Sequence, residues 1–152
     1  MKKNLLLLCL LLLTGASVSR AQKYAIYGVG FYNLENLFDT QHDEGKNDYE
    51  YLPEGRNKWT EMKYNSKLHN MSVVLSEMGT DVLPDVGCAV IGVSEVENRH
   101  CLQDLVNQPK LKARNFKFLH VEGPDKRGVD CGLLYNPKLF SPQKVRLVPY
   151  VY

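Results

Sequence analysis

The sequence predicts a layered α/β fold with a mixed sheet, and three observations carry that prediction. Strand-like runs alternate with helix-like stretches through the first two thirds of the chain. Cys88–Val93 is a short continuous apolar run, the signature of a strand in the middle of a sheet. After residue 115 the helical periodicity stops, and short runs bounded by turn residues take over.

In chain order, the first 21 residues read as an export signal. Lys2 and Lys3 precede the apolar stretch Leu5–Leu13, and Ser19-Arg20-Ala21 is a small-x-small cleavage site, so the mature chain is expected to begin at Gln22. The apolar stretch is too short to span a bilayer, and Cys9 sits inside it without a lipoprotein-type small pair before it. The expected product is exported, periplasmic or secreted, without a stable membrane anchor. Losing Lys2, Lys3 and Arg20 takes 19 basic residues to 16 against 17 acidic, a net charge near −1. That balance excludes a chain-wide basic surface for sequence-independent nucleic-acid binding. The local cluster Lys110, Lys112, Arg114 and Lys117 reads as a solvated face.

About 130 mature residues suffice for one core and leave no room for two domains. Tyr24–Tyr32 is aromatic and weakly alternating and reads as a first strand; residues 40–57, polar and punctuated by Gly45, Pro53 and Gly55, read as a long excursion. Trp59, Met62, Leu68, Met71, Leu75 and Met78 recur at mostly helical intervals, predicting an amphipathic helix closed by Gly79. Asn98 is placed to cap a second helix through about Val106, with Leu102, Leu105 and Val106 inward. Strands are expected over Phe116–Val121 and Val129–Tyr135, with Gly123-Pro124 as a turn and Asn136-Pro137 as a break. Lys144–Tyr152 alternates like one more strand. Cys88, Cys101 and Cys131 fit no zinc spacing; Cys88 and Cys131 lie in apolar runs, and one disulfide remains open.

Chemistry concentrates at the strand ends. Glu95 closes the run from Cys88, where open α/β sheets gather ligands; it is either a hard oxygen ligand or an acid favoured by the dipole of the following helix. Glu97 and Asn98 read as capping and orienting groups. Asn33 and Glu35, two apart on an extended segment, are expected to share a face, where an amide oxygen and a carboxylate suit a divalent cation. In Gly123–Asp130, Arg127 is suited to bidentate phosphate binding, and Asp130 to anchoring it or orienting a catalytic group. His120, alone in its strand, reads as structural.

On FYNLENLFD (Phe31–Asp39), IGVSEVENR (Ile91–Arg99) and EGPDKRGVDCGLLYNPKLF (Glu122–Phe140), the chain resembles the endonuclease/exonuclease/phosphatase family, most closely its exported bacterial branch. The resemblance covers essentially the whole mature chain. It implies a deoxyribonuclease I-like four-layered α/β sandwich, of which this chain is the N-terminal part, and metal-dependent phosphodiester or phosphoester hydrolysis with Mg²⁺ or Mn²⁺. By that resemblance Glu95 matches the metal-binding glutamate and Asn33 the active-site asparagine of the first strand. Glu35 matches a position that is Asp in some members. Arg127, Asp130 and Asn98 are implied on the substrate side of the site or behind its ligands. Ser94 departs from the Gln that many members place before the glutamate. The family's catalytic histidine, its Gly-Asp-x-Asn segment and its Asp-His pair have no counterpart in this sequence. The chain is therefore expected to be catalytically incomplete, with a C-terminal half as its covalent partner. The alternative is a non-catalytic exported binding protein or pseudoenzyme that uses the half-fold as an interaction surface. The resemblance leaves the substrate open among DNA, RNA, a phospholipid head group and a sugar phosphate.

Overall fold

The computed structural model describes residues 24–148. The expected export signal and cleavage site, and the last four residues of the final expected strand, lie outside the described residues. The elements are β1 (Gly28–Leu37), a single 3₁₀ turn (Tyr49–Tyr51), α1 (Glu61–Glu77), β2 (Cys88–Val96), α2 (Arg99–Asn107), the one-turn α3 (Pro109–Lys112), β3 (Lys117–His120) and β4 (Asp130–Tyr135). They form a mixed four-stranded sheet in the order β1-β2-β4-β3. β1 and β2 are parallel, joined by the α1 crossover, while β2–β4 and β3–β4 are antiparallel. This is the α/β architecture the sequence predicts.

The helices cover one face of the sheet. Leu34, Ile91, Val93 and Leu134 from the strands meet Tyr64, Leu68 and Leu75 of α1 and Leu102 and Leu105 of α2 in one buried cluster. Gly30 and Gly132 allow that approach: a Cβ on Gly30 would come within 2.4 Å of Met78 Sδ, and one on Gly132 within 2.8 Å of Leu102 Cδ1. The opposite face is open. Val29 and Phe31 are 74% and 67% exposed there, with Leu133 beside them. β2 is consequently covered on one face only, its Val90, Gly92 and Ser94 half-buried, where an apolar run suggested burial on both.

Four expectations need correction. β1 starts at Gly28, not Tyr24, and runs on to Leu37, because residues 24–27 have no neighbouring strand: the register with β2 opens at Gly28 opposite Cys88. On α1, Met62 faces solvent and Trp59 precedes the helix. The buried stripe is Tyr64, Leu68, Ser72 and Leu75; Met62 lies six residues before Leu68, about 240° around the helix and off that face. Lys144–Val148 forms no strand and is exposed, since no edge pairs with it. Cys131 is exposed on the open face, and the described cysteines Cys88, Cys101 and Cys131 are free thiols.

In the basic cluster Arg114 stands apart. Its guanidinium donates to the Ser76 carbonyl at 2.5 Å, to that of Cys88 at 3.1 Å and to that of Val86, tying the end of α1 to the start of β2. Among the described residues no helix is long and apolar enough to cross a membrane.

Candidate metal centre

The candidate site sits where β1 and β2 lose register. Asn33 pairs with Ser94 and Leu37 with Val96, so Leu34, Glu35 and Asn36 on β1 face the single residue Glu95 on β2. The same position interrupts β2–β4 pairing between Ser94 and Val96. The extra residues are absorbed by left-handed backbone: φ is 53° at Glu35, 61° at Asn36 and 58° at Glu95. Non-glycine residues in that region carry strain on the order of 1–3 kcal/mol each, and bulges re-aim side chains next to active sites. Two facing bulges therefore turn Glu35 and Glu95 out of the pleat at the carboxyl ends of parallel strands.

The two-residue spacing of Asn33 and Glu35 does not place them as an extended strand would. Asn33 Oδ1 accepts a hydrogen bond from the Glu35 amide at 2.7 Å, an Asx turn that starts the left-handed stretch. One lone pair of that amide oxygen is thus taken, the other stays open to a cation, and Nδ2 adds a donor to the same group. Glu35 is exposed and Glu95 half-buried. Neither carboxylate takes a hydrogen bond among the described residues.

Both acids act on Lys67 of α1, whose ammonium donates to the Glu35 carbonyl at 2.6 Å and lies 5.9 Å from the Trp59 ring centre. Burial lowers the Lys67 pKa, and Glu35 and Glu95 oppose that shift. On the other side, Arg127 is within electrostatic reach of Glu95. Its guanidinium is exposed and clasped by Asp125 at 3.0 and 3.3 Å.

Asp130 therefore does not anchor Arg127. Its buried carboxylate accepts from the Gly123 amide at 2.7 Å and pairs with His120 Nε2 at 3.0 Å. Burial raises its pKa, and those two bonds oppose the rise. His120 is thus a paired histidine. It lines, with Ser94, Glu95, Asp130, Cys131 and Leu147, an open cleft of about 930 Å³ running from the strand ends onto the bare sheet face.

A second acidic group lies two residues beyond Glu95. Glu97 is 2% exposed; its amide donates to the Leu37 carbonyl at 3.0 Å, and Oε2 accepts from the Asp39 amide at 2.8 Å. Cys101 Sγ lies 3.7 Å from the same oxygen. Burial, reinforced by Asp39, Asp43 and Asp48, pushes the Glu97 pKa up to about 8 against the pull of the Asp39 amide. Asn98 caps α2 by accepting from the Cys101 amide at 3.0 Å, and its Nδ2 reaches Asp39 and Asp43, each at 3.3 Å. Asp39, Glu97 and Cys101 hold their ligand-capable atoms within 4.8 Å of one another, but the protein itself uses all three. Glu97 and Asn98 form a strut that locks the two strand ends together just past the bulges.

The family model described as the Endonuclease/Exonuclease/phosphatase family matches residues 28–152. The chain belongs to the endonuclease/exonuclease/phosphatase family. Its mixed sheet with flanking helices is part of that family's deoxyribonuclease I-like fold. The family is one of metal-dependent phosphoester hydrolases, and the open carboxylates of Glu95 and Glu35 are the hard oxygen donors a divalent cation takes. No curated protein and no solved structure matches the chain. Reasoning from sequence missed Lys67 and the His120–Asp130 pair, which no local pattern marks, while the orienting and capping roles expected of Glu97 and Asn98 are the ones the structure gives them.

Proposed function

We propose that this chain provides the metal-holding half of an exported bacterial phosphoester hydrolase that uses Mg²⁺ or Mn²⁺. The observation that carries the reading is the Glu95 carboxylate, turned out on a left-handed bulge opposite Glu35, neither of them hydrogen-bonded among the described residues. Glu95 and Glu35 would hold the ion. Asn33 would orient Glu35 through the bond from its amide, with the second lone pair of Oδ1 turned to the ion and Nδ2 to an oxygen of the substrate. A divalent ion held there would supply Lewis acidity toward a phosphoryl oxygen and charge stabilisation for a leaving alkoxide.

The chain's own residues do the positioning. Lys67 holds the Glu35 turn from behind, Arg127 presents a guanidinium on the substrate side, and Glu97 with Asn98 fixes the separation of the strand ends. The export signal before Gln22 belongs to the same proposal. So does a C-terminal half, packed on the face that carries Val29, Phe31 and Leu133, that brings the group activating water. That open apolar face also suits the alternative, an exported binding protein or pseudoenzyme.

Residues 22–152, purified and incubated with Mn²⁺ and plasmid DNA or bis(p-nitrophenyl) phosphate, are expected to bind the ion without useful turnover. Divalent-ion-dependent hydrolysis by that material would refute the proposed division of labour. Failure to bind the ion at all would favour the binding-protein alternative.

A further inference from the structure

The excursion between β1 and α1 is pinned at both ends. The Asn47 amide donates to the Lys126 carbonyl at 2.8 Å, Lys46 pairs with Glu122 at 2.5 Å, and the Trp59 amide donates back to the Leu52 carbonyl at 3.2 Å. It therefore bridges the end of β1 and the β3–β4 loop that carries Arg127. The bridge holds Tyr51 in place. Its ring stacks on Phe38 at 4.1 Å with 7° between planes and meets Trp59 edge-on at 6.0 Å. The Trp59 indole is fixed in turn by a 2.9 Å bond to the Phe38 carbonyl.

Two aromatic side chains thus immobilise a ring whose hydroxyl has no hydrogen-bond partner among the described residues. Among the described residues only Thr60 Oγ1 is a buried side-chain polar atom without a partner, so the Tyr51 hydroxyl opens to solvent, where an incoming ligand can meet it; packing alone would be served equally by phenylalanine. The charges of Glu95 and Arg127 both act on this phenol, and burial raises its pKa, so it stays a hydrogen-bond donor. With Arg127 and Lys67 it makes a set of donors around the open carboxylates. A ligand that satisfies several donors and offers none is an anion with several oxygens.

We propose that Tyr51 is a substrate-gripping residue, its hydroxyl donating to a non-bridging oxygen of a phosphoryl group seated between Glu95 and Arg127. This rests on the hydrolase reading and extends it to the excursion, whose job becomes to carry that phenol.

The test is titration of inorganic phosphate into the processed chain loaded with Mn²⁺, followed calorimetrically, for the wild type, Tyr51→Phe and Tyr49→Phe. Tyr51→Phe keeps both ring contacts and removes one bond to a charged acceptor, so phosphate affinity should fall about tenfold. Mn²⁺ affinity and melting temperature should stay unchanged. Tyr49→Phe, a change on the exposed ring stacked on His42, should match the wild type. Equal phosphate affinity in Tyr51→Phe, no phosphate binding by the Mn²⁺-loaded wild type, or parallel loss of Mn²⁺ in Tyr51→Phe would overturn the inference and leave the metal centre standing. Absence of Mn²⁺ binding in the wild type would overturn the hydrolase reading, and this inference with it.

Discussion

Glu95 and Glu97 are two residues apart on one strand end, yet they are opposite kinds of acid. Glu95 is half-buried, on a left-handed bulge, without a hydrogen bond among the described residues. Glu97 is buried, back in register, and accepts from Asp39 and Cys101. The difference is made by the backbone. One residue of positive φ between Ser94 and Val96 sends Glu95 outward and returns Glu97 to the interior. A carboxylate that the protein has satisfied is architecture, and one left unsatisfied beside another at a strand end is available to a ligand. The same contrast separates the two acid pairs: Asp39 and Glu97 closed, Glu35 and Glu95 open.

The sharpest way to break the contrast is to remove each acid in turn and follow stability. Glu97→Ala leaves the Asp39 amide without its buried acceptor and should cost about 2–3 kcal/mol in urea denaturation. Glu95→Ala, which removes no hydrogen bond, should stay within about 0.5 kcal/mol. Equal losses would erase the distinction.

The Glu97 carboxyl also makes a prediction about pH. Its folded pKa of about 8 stands above the ordinary value of 4.5, so the folded state holds the proton more tightly. The stabilisation is complete below the unfolded pKa and is lost as pH rises through the folded one, by an amount on the order of a few kcal/mol. Denaturation midpoints should therefore decline between about pH 5 and pH 8 in the wild type, and much less in Glu97→Gln. A wild-type profile flat across that window would mean that Glu97 is ionised when folded.

Two smaller effects probe the open pair. Lys67→Met removes the bond to the Glu35 carbonyl and should lower stability by about 1 kcal/mol, with Lys67→Arg recovering part of it. Asn36→Gly suits a φ of 61° and should raise stability by about 0.5 kcal/mol. A loss there would show that the asparagine side chain matters more than its backbone.

How much of this was legible in the sequence follows from which forces are local. β2, β3, β4 and α2 lie within a few residues of their predicted positions, because apolar runs, turn residues and the Asn98 cap are local signals. The start of β1 and the tail at Lys144–Val148 were misread, because aromatic or alternating segments become strands only where a neighbour's hydrogen bonds await them. At the site, the position of Glu95 at a strand end was legible. The relation of Asn33 to Glu35 was not, since a period-2 argument fails once φ turns positive. Tyr51 and Lys67 reach the site from a loop and a helix 16 residues apart, with no pattern linking them. The His120–Asp130 pair spans ten residues across a hairpin and becomes visible only when β3 and β4 are in register.

The most direct test of the open-and-closed account is Mn²⁺ binding, followed by electron paramagnetic resonance, in the wild type, Glu95→Gln and Glu97→Gln. Glu95→Gln replaces a carboxylate, Glu97→Gln replaces a carboxyl that burial keeps largely protonated near neutral pH, and each keeps nearly the same shape. Glu95→Gln should weaken binding on the order of 100-fold or more, and Glu97→Gln by no more than about tenfold, through the strut alone. Undiminished binding in Glu95→Gln, or a larger loss in Glu97→Gln, would contradict the account and place the ion among the buried acids instead.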